Sequence, residues 1–204
     1  MESFITFLTV LTAFIVAITG IITAFLNLYK ETQKSIPKKI KEQSEVDNLI
    51  LNKMEDIKEI LDADRIQIYD FHNGIHYANG RSALKFSCSY EVVKAGIKPL
   101  QIQLQNIPSS VMPRFIKELL SKGKMGSLDI ETLKEIMPSL YSIKTYQGVK
   151  SFYDITLNNK YGEPVGILSI QYNKIQKEPY TEKEKKEIER LKMFVEEELL
   201  KIVD

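Results

Sequence analysis

The chain has 204 residues, 44% hydrophobic and 27% charged, with 28 Lys and Arg against 27 Asp and Glu. Every basic residue, and every acidic residue but Glu2, lies from Lys30 onward, so that part is nearly neutral and lacks the basic footprint of a nucleic-acid-binding domain. A single cysteine, Cys88, excludes an intrachain disulfide framework, and the length admits one domain with a sizeable core rather than two.

Ser3 to Tyr29 contains no Asp, Glu, Lys or Arg. As a helix these residues would reach roughly 40 Å, beyond the about 30 Å hydrocarbon core of a bilayer, so residues 3–29 are expected to be a retained transmembrane anchor in contact with lipid. Met1-Glu2-Ser3 lacks the positive start of a signal peptide, and the apolar run is too long for one. Lys30, Lys34, Lys38, Lys39 and Lys41 flank its C-terminal end, which predicts a single-pass protein of the inner (cytoplasmic) membrane with its N-terminus outside and its domain in the cytoplasm. Thr9, Ala13, Ala17, Gly20 and Ala24 form a small-residue stripe on which two such helices could approach.

Residues 30–61 read as a basic juxtamembrane segment and a connecting amphipathic helix, with Ile40, Val46, Ile50, Met54, Ile57 and Leu61 at helical spacing. Residues 62–204 read as one domain. Arg65 to Phe71 alternates like a strand, Asn73-Gly74 supplies a turn, Asn79-Gly80 a second, and Ala83 to Tyr90 another strand. Ser109-Ser110 after Pro108 suit a helix cap, Val111, Phe115, Leu119 and Leu120 a helix that Gly123 stops, and Asp129 a cap for a short helix bearing Ile130, Leu133 and Ile136 or Met137. Lys150 to Leu157 and Pro164 to Tyr172 read as a hairpin. Thr181 with Glu184 makes a capping box before Ile188, Leu191, Val195, Leu199 and Ile202. This order predicts an α+β fold: an antiparallel sheet of about five to six strands flanked by N- and C-terminal helices. The helical stripes either cover the sheet of their own chain or join a second copy in a parallel homodimer.

Asp70 to Gly80 is the densest polar cluster and holds both histidines. Asp70, His72, Asn73, His76, Tyr77 and Asn79, completed by Cys88 and Tyr90 of the next strand, are the candidate ligand-binding residues, giving hydrogen bonds beside an apolar pocket. The plainer reading is a polar hairpin connection, with Cys88 a small core residue. No metal is expected, because the turn denies the histidines helical spacing and no further His or Cys completes a shell. Glycine-rich phosphate loops, nucleophile elbows and zinc spacings are missing, so no catalytic residue and no enzymatic activity are assigned; the cofactor is unknown.

From Ser151 to Leu199 the chain resembles the GAF family of small-molecule-binding sensor domains. Ser151-Phe152-Tyr153-Asp154-Ile155-Thr156-Leu157 precedes Gly162-Glu163-Pro164-Val165-Gly166-Ile167-Leu168, and Pro179-Tyr180-Thr181-Glu182-Lys183-Glu184 opens the last helix, with Tyr180 where the family usually has Phe. PAS, a related sensor fold, would give a similar strand count. The resemblance implies a GAF-like domain, and it also shows departures. The cyclic-nucleotide signature is broken at Glu184 and Lys185, leaving a Lys174 to Glu184 ion pair as the expected remnant. Bilin-attaching members place His after the linking Cys, whereas Ser89 follows Cys88, and one cysteine cannot run a disulfide cycle. The phage and bacterial membrane proteins that Phe71 to Glu91 resembles suggest a microbial origin. The expected function is a membrane-anchored sensory or small-molecule-binding module without catalytic activity; the alternative is a membrane-tethered scaffold gripping a protein partner. No output domain is expected beyond Asp204, so any signal is expected to leave through the anchor, a dimer interface or another protein.

Overall fold

The structure, a computed structural model, describes residues 2–32, 36–76 and 79–202. The chain forms two compact units, one ending at Glu45 and one starting at Val46. The first contains helix α1 (Glu2–Thr32). Its stretch Leu11–Lys30, with mean hydropathy 2.1, is long and apolar enough to cross a membrane, and none of it is buried against the protein. Two of its threonines bond back to their own helix: Thr19 Oγ1 donates to Ile15 O and Thr23 Oγ1 to Thr19 O, both at 2.8 Å. In hydrocarbon such internal satisfaction is required.

Helix α2 (Ile36–Leu61) leads to the domain. There follow β1 (Arg65–His76), β2 (Ser82–Val93), the two-residue β3 (Ile107–Pro108), α3 (Pro113–Lys122), β4 (Lys124–Ser127), a 3₁₀ turn (Ile130–Leu133), α4 (Pro138–Tyr146), β5 (Ser151–Asn158), β6 (Pro164–Tyr172) and α5 (Glu182–Ile202). The strands form one six-stranded antiparallel sheet in the order β3-β2-β1-β6-β5-β4. The expected α+β architecture is present, with the terminal helices on one side.

Each strand sends alternate side chains to opposite faces. Ile66, Ile68, Ile155, Leu157, Leu168, Ile170 and Tyr172 meet Ile50, Met54, Ile57 and Leu61 of α2 and Ile188, Leu191 and Val195 of α5 in a first core. Ile50, Met54 and Ile57 are fully buried, each stabilising the fold by about 1.5–3 kcal/mol. Ile50 to Leu61 of the first stripe and Ile188 to Val195 of the second therefore cover the sheet of their own chain. Among the described residues of these helices, Ile40, Leu49, Ile60 and Met193 are the large apolar side chains left exposed. The capping box forms as read: Thr181 N donates to Glu184 Oε2 at 2.7 Å and Glu184 N to Thr181 Oγ1 at 3.3 Å.

The second core lies on the other face, where Tyr69, Phe86, Cys88, Phe152 and Ile167 pack beneath Leu100, Leu104, Met112, Phe115, Leu119, Ile130, Leu133, Met137 and Leu140. A bulge in β2 lets that strand serve both cores. Ile68 pairs with Tyr90 but Tyr69 with Cys88, so Ser89 is the extra residue, and Cys88 and Tyr90, two positions apart, belong to opposite faces. Gly166 sits directly against β1: a Cβ there would stand 2.4 Å from Tyr69 O.

Several local expectations are corrected. Asn73-Gly74 makes no turn: β1 continues through both to His76, and Gly74 is required because a Cβ would meet Ala83 O at 2.2 Å. The turn lies beyond, where Asn79 Oδ1 accepts the Arg81 N–H at 3.1 Å. Ser109 and Ser110 begin a 3₁₀ turn and cap nothing, since α3 starts four residues after Ser109 behind Met112. Asp129 does cap the turn at Ile130, and Gly123 ends α3 as expected, but Val111, Leu120 and Ile136 are exposed while Met137 is buried. Lys174 pairs with Asp62 at 2.6 Å rather than with Glu184, which the capping box engages.

Candidate functional site

The candidate residues of the polar segment do not converge. His72 Nε2 is 2.9 Å from Ser87 Oγ, His76 Nδ1 is 3.4 Å from Ser82 Oγ, and Asn73, His76 and Asn79 are exposed on the β1–β2 hairpin. Tyr77 lies outside the described residues. Asp70 is half-buried at the hairpin's base, where desolvation raises its carboxyl above the usual range against the pull of Ser89 and His72. Cys88 is packed in the second core with its thiol 3.3 Å from Tyr90 O, and burial pushes that thiol far up. Tyr90 faces the first core and donates to Asp47 Oδ1 at 2.6 Å. None of them lines the cavities described next, and among the described residues no group of three His, Cys, Asp or Glu stands together for a metal.

The polar chemistry of the domain lies instead across the sheet face that carries the second core. Arg65 Nε is 3.1 Å from Glu91 Oε1, both side chains buried, although its N–H is not aimed at that oxygen. Glu91 Oε2 also accepts the Leu100 and Gln101 N–H groups at 2.7 and 2.9 Å. Gln67 Nε2 donates to Glu91 Oε1 at 2.8 Å, and Gln67 Oε1 accepts from Tyr69 OH at 2.7 Å and Gln171 Nε2 at 2.8 Å. Gln171 Nε2 is also 2.9 Å from Ser169 Oγ, which donates to Asp154 Oδ1. Lys144 Nζ, from α4, closes the chain at 3.1 Å from Asp154 Oδ2 and stands 4.2 Å from the Phe152 ring centre.

A belt of hydrogen bonds thus crosses β2, β1, β6 and β5 inside the protein. Its groups are costly to bury and tolerable only because nearly all are paired. Burial lowers the Lys144 ammonium and raises the Asp154 carboxyl towards their neutral forms, and each opposes this by its charge on the other. Desolvation raises Tyr69 well above the ordinary phenol range, which keeps its proton for Gln67.

A cavity of about 30 Å³ lies at the Lys144 end of this belt, lined by Lys144, Asp154, Ser169 and Gln147 together with Tyr69, Phe86, Met112, Phe115, Leu140 and Ile167. At about 10–15 Å³ per water it has room for about two or three waters, against about 300–1,000 Å³ for a drug-sized ligand. Gln147 Oε1 is buried there without a hydrogen-bond partner. Two other hollows are open at the surface: about 270 Å³ between the starts of α3 and α4, and about 760 Å³ beside Tyr153, Tyr172 and Tyr180 at the β6–α5 connection. In the larger one Tyr180 OH donates to Tyr172 OH at 3.1 Å, and burial raises the Tyr172 hydroxyl to about 12.

Solved structures with this topology decide the fold. The chain is similar to a far-red cyanobacteriochrome photoreceptor, with 15% identity and a TM-score of 0.58 over 87% of this chain and 98% of that one. The domain has the GAF fold. It is also similar to the phycocyanobilin-bound GAF domain of a cyanobacterial phytochrome, at 20% identity and TM-score 0.57 over 81% and 92% of the two chains. A domain of a putative two-component sensor histidine kinase from Sinorhizobium meliloti 1021 matches at 11% identity and TM-score 0.52 over 76% and 90%. No family model matches the chain, and no curated protein matches it significantly.

Sequence reasoning missed the belt because Arg65, Gln67, Glu91, Asp154, Ser169 and Gln171 alternate with apolar residues and so read as the solvent side of half-buried strands. One signal was present: residues 94–147 carry enough apolar side chains to cover a second sheet face, which leaves these polar groups no solvent.

Proposed function

We propose that the chain is a membrane-anchored, non-catalytic sensory module that binds a small molecule between the sheet and its cover of α3, the 3₁₀ turn and α4. The observation that carries this is the Lys144 corner: a buried ammonium and carboxylate, an unpartnered Gln147 carbonyl and a small cavity among apolar side chains. Such a corner offers a ligand one cationic donor and one free acceptor in a water-poor setting. The neighbouring structures described as bilin-bound GAF domains support a sensory reading of this fold. Because the cavity has room for only two or three waters, a ligand larger than that must displace the cover, which is how binding would be felt outside the sheet. The anchor is proposed to cross the inner membrane with the domain on the cytoplasmic side, and two chains are proposed to pair in parallel.

The test is thermal unfolding of the full chain in detergent against a panel of metabolites and nucleotides, with mass spectrometry for co-purified molecules. A ligand whose stabilisation vanishes in Lys144→Met supports the reading. No bound molecule and no shift across the panel overturns it.

The smallness of the cavity favours a second reading, a membrane-tethered scaffold that uses the open 760 Å³ groove for a protein partner. A single stoichiometric partner lost on substituting Ile175 or Tyr153, with no small-molecule response, would decide for it.

A further inference from the structure

The Lys144 corner brings together the groups that a reversible covalent bond to a carbonyl compound needs. Lys144 Nζ lies 3.1 Å from Asp154 Oδ2, 3.4 Å from Asp154 Oδ1 and 3.5 Å from Ser169 Oγ, with both charged side chains buried. Lys144, Asp154 and Ser169 line one cavity of about 30 Å³. Gln147 lines it too, and its buried Oε1 has no hydrogen-bond partner among the described residues. A primary amine, a proton acceptor in contact with it and an idle acceptor thus share a water-poor space.

Burial frees the amine for reaction. It lowers the Lys144 ammonium and raises the Asp154 carboxyl, so a proton passes between them more readily than between two surface groups. Two other charged or titratable groups bear on Nζ: Arg65, whose charge lowers the ammonium further, and Tyr69, which lines the cavity and keeps its own proton.

The same surroundings select the electrophile. An acyl or carbon dioxide adduct would remove the cation and leave Asp154 buried beside a neutral or negative group, which is costly. A protonated imine keeps one positive charge on nitrogen, opposite Asp154 and beside the Phe152 ring, whose centre is 4.2 Å from Nζ. Room for about two or three waters suits an aldehyde of about two or three carbons.

We infer that Lys144 captures a short-chain aldehyde as a protonated imine, with Asp154 carrying the protons. This rests on the ligand-binding reading proposed above and names its ligand class. Asp154 takes a proton from the ammonium, and the freed nitrogen lone pair forms the C–N bond as the carbonyl π electrons move to oxygen, which Asp154 then protonates. The new hydroxyl can donate to Gln147 Oε1. Asp154 takes a second proton from nitrogen and returns it to that hydroxyl as the C–O bond breaks, so water leaves. Ammonium and aldehyde give protonated imine and water, with the charge unchanged.

The full chain in detergent is equilibrated with acetaldehyde near neutral pH and reduced with borohydride, and the position of each ethyl group is read by peptide mass spectrometry. Exposed lysines stay protonated at that pH and react slowly. The expected result is an ethyl group on Lys144 before any exposed lysine, and none from benzaldehyde, which is too large. Lys144→Arg, which keeps a cation against Asp154, should lose this fast modification with unchanged far-UV circular dichroism. An unmodified Lys144 beside modified exposed lysines overturns the inference. So does modification at the exposed lysines' rate, or by both aldehydes alike, the outcome for an amine reached only through unfolding. A metabolite that stabilises the chain through Lys144 while acetaldehyde leaves that residue untouched overturns this inference alone; no stabilising molecule and an untouched Lys144 overturn the ligand-binding reading with it.

Discussion

Lys144 Nζ lies 3.1 Å from Asp154 Oδ2 with both side chains at least nine-tenths buried, one from a short helix and the other from the middle of the sheet. Removing one member of such a pair strands the other charge. Lys144→Met should cost about 3–5 kcal/mol, whereas Lys144→Met with Asp154→Leu should recover most of that loss, because an apolar pair removes both desolvation penalties. Urea unfolding of the three proteins measures this. The single variant should also change with pH. Burial raises the Asp154 carboxyl in the folded state, and without Lys144 it rises further, so the folded chain holds a proton that the unfolded chain releases. Its stability should therefore increase as pH falls towards the ordinary carboxylate range.

Asp62 gives the opposite dependence. Hydrogen bonds from Lys174 and Lys94 hold its carboxyl at about 2, below the model-peptide value of 3.8. The stability this contributes is present above pH 3.8 and is lost as pH falls through about 2. Asp62→Asn should lower neutral-pH stability modestly, because the bonds to Lys174 and Lys94 are lost while Asn tolerates the left-handed backbone there (φ 48°), and should flatten the acid limb of a melting-temperature profile.

A methyl group at Gly166 would collide with Tyr69 O, which belongs to the neighbouring backbone and has no flexible end to yield. Gly166→Ala should cost about 1–3 kcal/mol through separation of β1 and β6. Gly20→Ala, where a Cβ meets nothing within 4 Å, serves as the control and should leave the domain's unfolding unchanged.

Thr181→Ala removes the reciprocal cap at the start of α5. The expected loss is about 1 kcal/mol, or about 2–4 °C in Tm for a domain of this size, and Thr181→Ser should restore it.

Helix periodicity and turn chemistry made the outer architecture readable. Ile50, Met54 and Ile57 keep helical spacing, Thr181 and Glu184 announce a cap, and the Gly162 to Gly166 motif lies in and after a turn of β5 and β6. Asn73-Gly74 misled because a local turn preference competes with strand pairing; Ala83 approaches Gly74 from a partner strand that local spacing does not reveal. The candidate site was hidden for a related reason. Polar alternation means a wet face only when nothing covers it, and the cover over Asp154 and Ser169 comes from α3 and α4, far away in the chain from Arg65 and Gln67. A cluster of histidines in the sequence drew attention to the hairpin, whereas the buried chemistry was dispersed over residues 65 to 171.

The bulge at Ser89 gives the sheet a property that flat pairing would lack. Cys88 touches Tyr90 O from one core, and Tyr90 in turn holds Asp47 of α2 from the other, so two adjacent links connect layers that the sheet otherwise keeps apart. Sliding β2 by one residue to iron out the irregularity would turn half of the strand over and break the grip on α2. Deleting Ser89 differs from such a slide: it would make Cys88 and Tyr90 neighbours that regular pleating already sends to opposite faces, so the tie from the second core through Tyr90 to Asp47 should outlast the bulge itself.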